Sequence, residues 1–243
     1  MSCYGPLAAW YDRLTGDVPY SEFADYYEAE FHRHGGEFRF LLDLCCGTGT
    51  LTCEMARRGY EMIAADASVD MLMQAQEKSA GLDPAPLFLC QEASALDLYG
   101  TVDAAYCSLD GMNYIPPGEL PKLFHLLRLF IRPEGLLIFD LRSPEWLTSM
   151  DGQVYVDEQP DVLCLWRADL DPDAASVSYG MDIFSREGGL WRRDSEEHVE
   201  YIHRFDALRA MLENQGFTGV ELRTDGPQCA AGRQFIIAER GLN

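Results

Sequence analysis

An acidic residue followed by a glycine-rich turn is the stretch of this sequence best suited to chemistry. The apolar run of residues 40–44 contains Asp43 and leads through two cysteines to Gly47 and Gly49. A short apolar run followed at once by a helical pattern predicts a buried parallel strand that turns tightly into a helix. Glycine permits a positive φ and a close ligand approach, and the helix start offers free N–H groups. The turn therefore predicts a site for a nucleotide-type cofactor.

A second strand pattern, Glu61–Asp66, follows one short helix later and again ends in an acid. An aspartate at the tip of the second strand of such a sheet is placed to accept hydrogen bonds from both ribose hydroxyls. A dinucleotide fingerprint fits less well, because it would need glycine at Thr52 and an earlier register. The two strand ends together favour an adenosine-containing cofactor.

The remaining elements predict an α/β fold with a β-rich segment near its end. Three further strands are expected at 86–90, 102–108 and 136–140, and Ser68 is expected to cap the helix after the second strand. Four β-rich runs separated by turn residues then span 154–201. A helix from Phe205 and two last strands at 217–224 and 234–239 complete the pattern.

Composition limits the classes of partner. The 243 residues are 47% hydrophobic and 12% aromatic, enough for one large core, and the formal net charge is −21. Such a field repels phosphate backbones, so nucleic acid is not an expected partner. A solvated acidic surface that maintains solubility is the simpler explanation of the charge, beside attraction of cationic or neutral small molecules.

Cysteine usage and hydropathy predict a cytoplasmic protein. None of the eight cysteines, Cys3 included, belongs to a C-x-x-C pair, and several lie in apolar runs, as reduced thiols do. We expect no signal peptide, and no apolar run approaches the roughly 18 residues of a membrane span. No H-E-x-x-H or comparable spacing occurs, so no metal is expected.

The segment Asp43–Gly49 resembles motif I of the class I S-adenosylmethionine-dependent methyltransferases, written D-x-G-x-G-x-G. Asp66 matches the ribose-binding acid of that family, and the Arg132–Gly135 turn is another common feature. Cys45 replaces the first glycine of the motif, and we expect the turn to form with a negative φ at that position. The resemblance covers nearly the whole chain. It implies a Rossmann-like seven-stranded sheet, an antiparallel sheet inserted after strand five, S-adenosylmethionine as cofactor and S-adenosylhomocysteine as product.

The resemblance also implies roles for residues at the strand ends. Asp66 would bind the ribose, and Glu92 with Ala93 would bind the adenine, although an exposed loop glutamate is the alternative for Glu92. Met71 would touch adenine or pack in the core. The predicted cofactor-binding residues are Tyr20, Asp43, Cys45, Cys46, Gly47, Gly49, Asp66, Ala67, Met71, Glu92, Ala93 and Ser108.

Candidates for the reacting end follow strand four and the inserted strands. Asp110 lies beyond strand four, close to the glycine turn in a doubly wound sheet, although an Asp-Gly turn would also explain it. Asn113 and Tyr114 are further candidates there. Tyr11 belongs to an N-terminal Tyr-Asp stretch that resembles a lid over the cofactor in related enzymes, with an electron-rich ring suited to a sulfonium.

Glu196 and His198 lie two apart on one predicted strand, so their side chains point the same way. A neutral histidine beside a carboxylate is a workable general base. A solvated strand face or a dimer contact is the alternative for this pair. The predicted catalytic residues are Tyr11, Asp110, Glu196 and His198.

The sequence therefore predicts a methyltransferase acting on an N or O nucleophile of a small molecule. Residues 1–145 and 205–243 would form the cofactor-binding core with its N-terminal helical lid, and 146–204 a cap that roofs the substrate pocket or forms a homodimer. A non-catalytic cofactor-binding or regulatory partner protein is the alternative from another class, and an NAD-type oxidoreductase is a second enzyme alternative.

Overall fold

A computed structural model describes residues 4–242, so Cys3 lies outside the described part. The helices are α1 (Tyr11–Leu14), α2 (Tyr20–His34), α3 (Thr50–Arg57), α4 (Val69–Lys78), α5 (Leu120–Phe130), α6 (Pro144–Ser149) and α7 (Phe205–Asn214). The strands are β1 (Phe40–Leu44), β2 (Glu61–Asp66), β3 (Leu87–Cys90), β4 (Val102–Cys107), β5 (Ile131–Arg142), β6 (Val154–Gln159), β7 (Val162–Asp171), β8 (Ser176–Glu187), β9 (Leu190–Tyr201), β10 (Phe217–Arg223) and β11 (Arg233–Arg240).

Seven strands form the larger sheet in the order β10-β11-β5-β4-β1-β2-β3. Strands β1 to β5 pair in parallel, and β11 joins β5 in the antiparallel sense. Strand order reverses between β1 and β4, so the carboxyl ends of these two strands flank a crevice, where open α/β sheets bind ligands. The predicted seven-stranded methyltransferase-type sheet is confirmed.

Apolar residues of the central strands alternate between two helical layers. Leu42 and Leu44 face the core that contains the apolar sides of α5 and α7. Leu41 points to the other side, where it packs with residues of α2 and α3. Successive side chains of a strand point to opposite faces, so one buried strand supplies both layers. This double packing fixes the position of the loop that follows β1.

A four-stranded antiparallel sheet, β6-β7-β8-β9, lies between α6 and α7 in the chain. Its strands fall within the predicted insertion of 146–204. One face of this sheet buries Cys164, Met181 and Ile183 against Leu7 of the N-terminal segment. The insertion therefore packs against the segment that precedes the larger sheet, while its role as a substrate cap stays a prediction.

Two local predictions can be compared with the structure: the helix cap at Ser68 and the φ angle at Cys45. The Ser68 hydroxyl accepts a hydrogen bond from the Met71 N–H at 3.2 Å and caps α4, as predicted. The expected negative φ at Cys45 is wrong, because the residue has a φ of 57°. Within residues 4–242, no helix is long and apolar enough to cross a membrane.

Candidate active site

A cavity of about 590 Å³ opens at the carboxyl ends of β1, β2 and β4. Its walls come from the glycine turn, the ends of β2 and β3, the loop after β4 and the N-terminal tyrosines. The lining residues are Tyr4, Tyr11, Tyr20, Asp43, Leu44, Cys45, Cys46, Gly47, Thr48, Thr50, Leu51, Ala65, Asp66, Ala67, Ser68, Met71, Gln91, Glu92, Ala93, Ser108, Leu109, Gly111, Tyr114 and Ile115.

The turn after β1 has three residues in the left-handed region, with φ of 57° at Cys45, 53° at Gly47 and 67° at Gly49. A Cβ atom on Gly47 would meet nothing within 4 Å, whereas one on Gly49 would lie 2.8 Å from the Cβ of Ala75. Gly47 therefore leaves room on the cavity side, and Gly49 permits close packing of the turn on α4.

The Asp66 carboxylate joins the turn to α4. Its Oδ2 accepts a hydrogen bond from the Gly47 N–H and its Oδ1 accepts one from the Ser68 N–H, both at 2.8 Å. Burial raises the pKa of Asp66 and outweighs these two hydrogen bonds, which favour the charged form. A carboxylate has about four acceptor positions, so Asp66 can still receive hydroxyl groups from the cavity.

Asp43 is a buried acid in the wall beneath the turn, with 2% of its surface exposed. The Thr52 hydroxyl donates a hydrogen bond to its Oδ2 at 2.5 Å. Burial raises the pKa of Asp43 to about 7, against the effect of the Thr52 hydrogen bond. The group can therefore hold a negative charge at neutral pH but strongly favours a cationic neighbour.

The loop after β4 is held by a network of buried ionic groups. The Leu109 and Asp110 N–H groups donate to Asp140 at 2.9 and 2.8 Å. Asp110 is not among the lining residues, and its carboxylate forms an ion pair with Arg233 at 2.7 Å. Ser108 does line the cavity and shares a 2.6 Å hydrogen bond with the Tyr27 hydroxyl.

Comparison with known proteins shows which proteins this chain resembles. A family model described as a methyltransferase domain matches residues 41–135, the part that carries the turn, Asp66 and β4. The chain is 29% identical to the "Putative methyltransferase YqeM" of Bacillus subtilis, over 98% of this chain and 97% of the relative. A solved S-adenosylmethionine-dependent methyltransferase from Clostridium acetobutylicum is 25% identical, with a TM-score of 0.83 over 99% of this chain and all of that one. Residues 41–135 therefore match a methyltransferase domain, and the whole chain is similar in sequence and fold to S-adenosylmethionine-dependent methyltransferases.

Another solved structure shares the fold of this methyltransferase over nearly its whole length. The sugar N-methyltransferase KedS8 from Streptoalloteichus has a TM-score of 0.84 over 99% of this chain and 94% of its own, at 19% identity. At that identity the likeness shows the fold alone.

The N-terminal segment of the methyltransferase is held by the inserted sheet at one point and by the glycine turn and α4 at another. The N–H groups of Tyr4 and Leu7 donate to the Glu196 carboxylate at 3.1 and 2.8 Å. Farther along, Asp12 forms a 2.6 Å ion pair with Lys78 and accepts a 2.6 Å hydrogen bond from Thr48. These contacts help to position the segment that carries Tyr4 and Tyr11, both of which line the cavity, and its role as a lid stays a prediction.

The predicted pair Glu196 and His198 is brought together, but it does not line the cavity. The His198 Nε2 lies 2.9 Å from Glu196, and only 1% of the histidine is exposed. The ring of Tyr4 lies against His198, with 4.4 Å between centroids. Burial raises the pKa of Glu196, but the hydrogen bonds from His198 and the Leu7 N–H outweigh it and lower that pKa. The pair anchors the N-terminal segment here, and its catalytic role stays a prediction.

Most of the predicted site residues meet at one place. Of the cofactor-binding set, only Gly49 lies outside the lining, and of the catalytic set only Tyr11 belongs to it. Asn113, a further candidate, instead joins two elements, since it accepts from the Arg142 N–H and donates to the Tyr201 carbonyl, each at 2.9 Å. In the described chain, no group of three or more His, Cys, Asp or Glu residues is arranged to hold a metal ion.

The lining residues that sequence reasoning missed come mainly from elements next to the predicted ones. Thr48 lies within the glycine turn and Thr50 and Leu51 follow it directly, so their proximity could have been expected from the turn itself. Tyr4 had no such signal, because its position depends on the distant Glu196.

Proposed function

We propose that this protein transfers the methyl group of S-adenosylmethionine to a nitrogen or oxygen nucleophile of a small molecule. The observation that carries the proposal is the single cavity that joins the glycine turn, Asp66, the end of β3 and the end of β4. An adenosyl cofactor needs hydrogen-bond acceptors for its ribose hydroxyls and for the amino group of its adenine ring. It also needs a negatively charged pocket for its cationic part. Asp66, Glu92 and Asp43 fit these three needs.

Each end of the cavity offers groups for one part of the cofactor. Asp66 would accept the ribose hydroxyls, and Glu92 with the backbone of Ala93 would bind the adenine. The turn at Cys46 and Gly47, with Asp43 beneath it, would hold the amino-acid part. Burial raises the pKa of Tyr11, which keeps its hydroxyl neutral and its ring electron-rich beside a sulfonium.

The bound cofactor supplies a methyl group that is already activated by the sulfonium. The protein therefore has to align the acceptor in line with that methyl and exclude water. Tyr4, Tyr11 and Tyr20 line the cavity, and the segment that carries Tyr4 and Tyr11 is held by Glu196 of the inserted sheet and by Lys78 of α4, so these tyrosines would serve the exclusion of water. Such chemistry does not require a strong base, which agrees with a cavity that no histidine lines.

A small-molecule acceptor is favoured by two observations. The net charge of −21 opposes nucleic acid, and the inserted sheet packs beside the cavity through Leu7 and the N-terminal segment. Neighbours of the same architecture include KedS8, a sugar N-methyltransferase, and CalS10, an amino pentose methyltransferase whose structure contains S-adenosylmethionine. A location in the cytoplasm and a homodimer stay predictions.

Calorimetric titration with S-adenosylmethionine, S-adenosylhomocysteine and NAD tests the cofactor. We expect both adenosyl compounds to bind and NAD not to bind. Replacing Asp66 by alanine should weaken adenosyl binding by ~1–3 kcal/mol, since charge-assisted hydrogen bonds to the ribose are lost. Asp66 also supports the turn, so Asp66→Asn is measured beside it, and Asp169→Ala, an exposed acid of β7, serves as control.

Unchanged affinity in a folded Asp66→Ala variant would place the ribose elsewhere. Binding of the cofactor without methyl transfer to any amine or hydroxylated metabolite would favour the non-catalytic alternative. Binding of NAD alone would overturn the proposal.

A further inference from the structure

A buried group of charges lies behind the loop after β4, outside the cavity lining. Arg233, with 2% exposure, contacts Asp140 and Asp110 through separate guanidinium nitrogens. Arg142 adds a second cation, with its Nε 3.6 Å from Asp110. Two aspartates are thus matched by two arginines, and these four residues are balanced among themselves.

Glu200 of β9 adds a negative charge that this group does not balance. Only 6% of its surface is exposed, and it forms no ion pair within residues 4–242. Its Oε2 is fully buried without a hydrogen-bond partner, and so is the hydroxyl of Tyr179 on the neighbouring strand β8. Isolated carboxylates are expensive to bury, so this group calls for a compensating partner.

Charged and titratable groups from several elements surround Glu200 and affect its pKa. Burial raises the pKa of Glu200, and Asp110 raises it further. Arg142, Arg233 and the Tyr114 hydroxyl oppose that rise but do not cancel it. The remaining titratable neighbours are Tyr4 of the N-terminal segment and Tyr179 of β8. When no cationic ligand is bound, burial therefore favours the protonated form of the Glu200 carboxyl group.

Tyr114 connects Glu200 to the cavity. Tyr114 belongs to the lining, and its hydroxyl lowers the pKa of Glu200 by favouring the charged form. Tyr4 also lies in the lining and stacks at a tilt on Tyr114, with 5.8 Å between ring centroids. The unbalanced charge therefore lies next to the end of the cavity that is formed by the loop after β4, away from the residues that would hold the adenine.

We propose that Glu200 supplies the negative charge that selects a cationic amine, in preference to an alcohol, as the methyl acceptor. This inference rests on the proposed function and deepens it, because it chooses nitrogen from the two nucleophiles left open above. An amine that enters as an ammonium compensates the charge of Glu200, whereas a neutral hydroxyl compound would leave it unbalanced. Glu200 is a positioning residue in this account, since Tyr114 lies between it and the cavity.

The reaction balances without a further reagent. The ammonium loses one proton to water before solvent is excluded from the cavity, which frees its lone pair. The amine then attacks the methyl carbon, so that the N–C bond forms while the C–S bond breaks, and neutral S-adenosylhomocysteine leaves. A second proton on the methylated nitrogen remains with the product or passes to water.

The first test needs no acceptor. Unfolding midpoints are measured between about pH 5 and pH 8 for the wild-type protein, for Glu200→Gln and for the control Glu158→Gln, an exposed glutamate of β6. As the pH rises, the unfolding midpoint of Glu200→Gln should move several degrees above that of the wild type. The unfolding midpoint of the control should stay equal to that of the wild type. An equal pH dependence of all three proteins would show that Glu200 is not an unbalanced carboxylate and would overturn the inference.

The second test pairs each amine with its hydroxyl counterpart, glucosamine with glucose and ethanolamine with ethylene glycol. We expect methylation of amines only, and a KM for the amine that rises about ten- to hundredfold in Glu200→Gln at an unchanged kcat. Equal use of the hydroxyl compounds, use of no amine, or an unchanged KM would contradict the proposal.

Calorimetry on the same preparations separates this inference from the proposed function. Wild-type protein and Glu200→Gln should bind S-adenosylmethionine and S-adenosylhomocysteine equally well. A wild-type protein that binds neither compound would remove the proposed function itself. A variant that loses affinity for S-adenosylmethionine alone would show that Glu200 balances the sulfonium, which would overturn only the assignment to the acceptor.

Discussion

Replacing Asp43 by asparagine should stabilise the ligand-free protein at neutral and alkaline pH. The side chain is buried beneath the glycine turn, and its Oδ2 accepts a 2.5 Å hydrogen bond from Thr52. An asparagine has nearly the same shape, and its Oδ1 can still accept that hydrogen bond. The change therefore removes the buried charge and leaves the packing in place.

The size of the effect follows from the pKa. Burial raises the pKa of Asp43 from 3.8 to about 7 in the folded state. Below about pH 4 both states are protonated and the group contributes nothing. Between about pH 4 and pH 7 the unfolded state releases its proton first, so the free energy of unfolding falls as the pH rises. At 1.36 kcal/mol per pH unit, the loss levels off near ~4 kcal/mol above pH 7.

Urea unfolding of the wild type and Asp43→Asn at a series of pH values measures this difference directly. The two proteins should be equally stable near pH 4, and the variant should be more stable by up to about 4 kcal/mol near pH 8. Asp169→Asn, at an exposed position of β7, controls for the change in net charge. A gain that is the same at both ends of the pH range, or absent, would refute the burial argument.

Two further predictions concern the turn and the lid. Gly49→Ala should lower the free energy of unfolding by about 1–3 kcal/mol, because its Cβ would lie 2.8 Å from Ala75, whereas Gly47→Ala should cost less, since no atom lies within 4 Å. Lys78→Met removes the partly exposed ion pair with Asp12, so global stability should fall by only about 0.2–1 kcal/mol while proteolysis of the N-terminal segment becomes faster. Unfolding curves and timed proteolysis measure these effects; equal losses at both glycines, or an unchanged cleavage rate, would contradict them.

The cofactor side of the site was predictable because its residues are close in sequence. Asp43, Gly47 and Asp66 belong to β1, the next turn and β2, and strand pairing sets their relative positions. Residue types then followed from the chemistry of ribose and a tight turn. Such local reasoning does not extend to Tyr4, because that residue takes its position from Glu196 on β9, 192 residues away in the sequence.

The error at Cys45 has a tertiary cause. A side chain with a Cβ is expected to avoid positive φ, and the small size of cysteine does not remove that cost. In the structure, the next residue's N–H donates to the Ala65 carbonyl at 3.1 Å, which fixes the direction of the turn. A Cβ on Gly111 would also come within 3.0 Å of the Cys45 Cβ, so the loop after β4 closely approaches this residue. Neighbouring strands thus impose a conformation that the isolated segment would not favour.

The acceptor side could not be read from spacing, because its charges come from distant parts of the chain. Arg233 of β11 reaches Asp140 of β5 and Asp110 after β4, which the sheet order alone makes neighbours. A sequence shows each of these residues as an ordinary surface charge. Glu200 belongs to β9 of the other sheet, so only the three-dimensional structure shows that it lies beside this group without a balancing cation of its own.

Buried acids at both ends of the cavity support one physical account of the site. Burial is the main cause that raises the pKa of Asp43, Asp66 and Glu200, so each is costly to ionise in the ligand-free protein. A cation entering the cavity lowers that cost wherever it lies near one of them. The same groups that reduce stability therefore strengthen the binding of a sulfonium and an ammonium. For a methyl group that is already activated, this electrostatic selection brings the two reactants together, and the proton of the ammonium leaves to water before the attack.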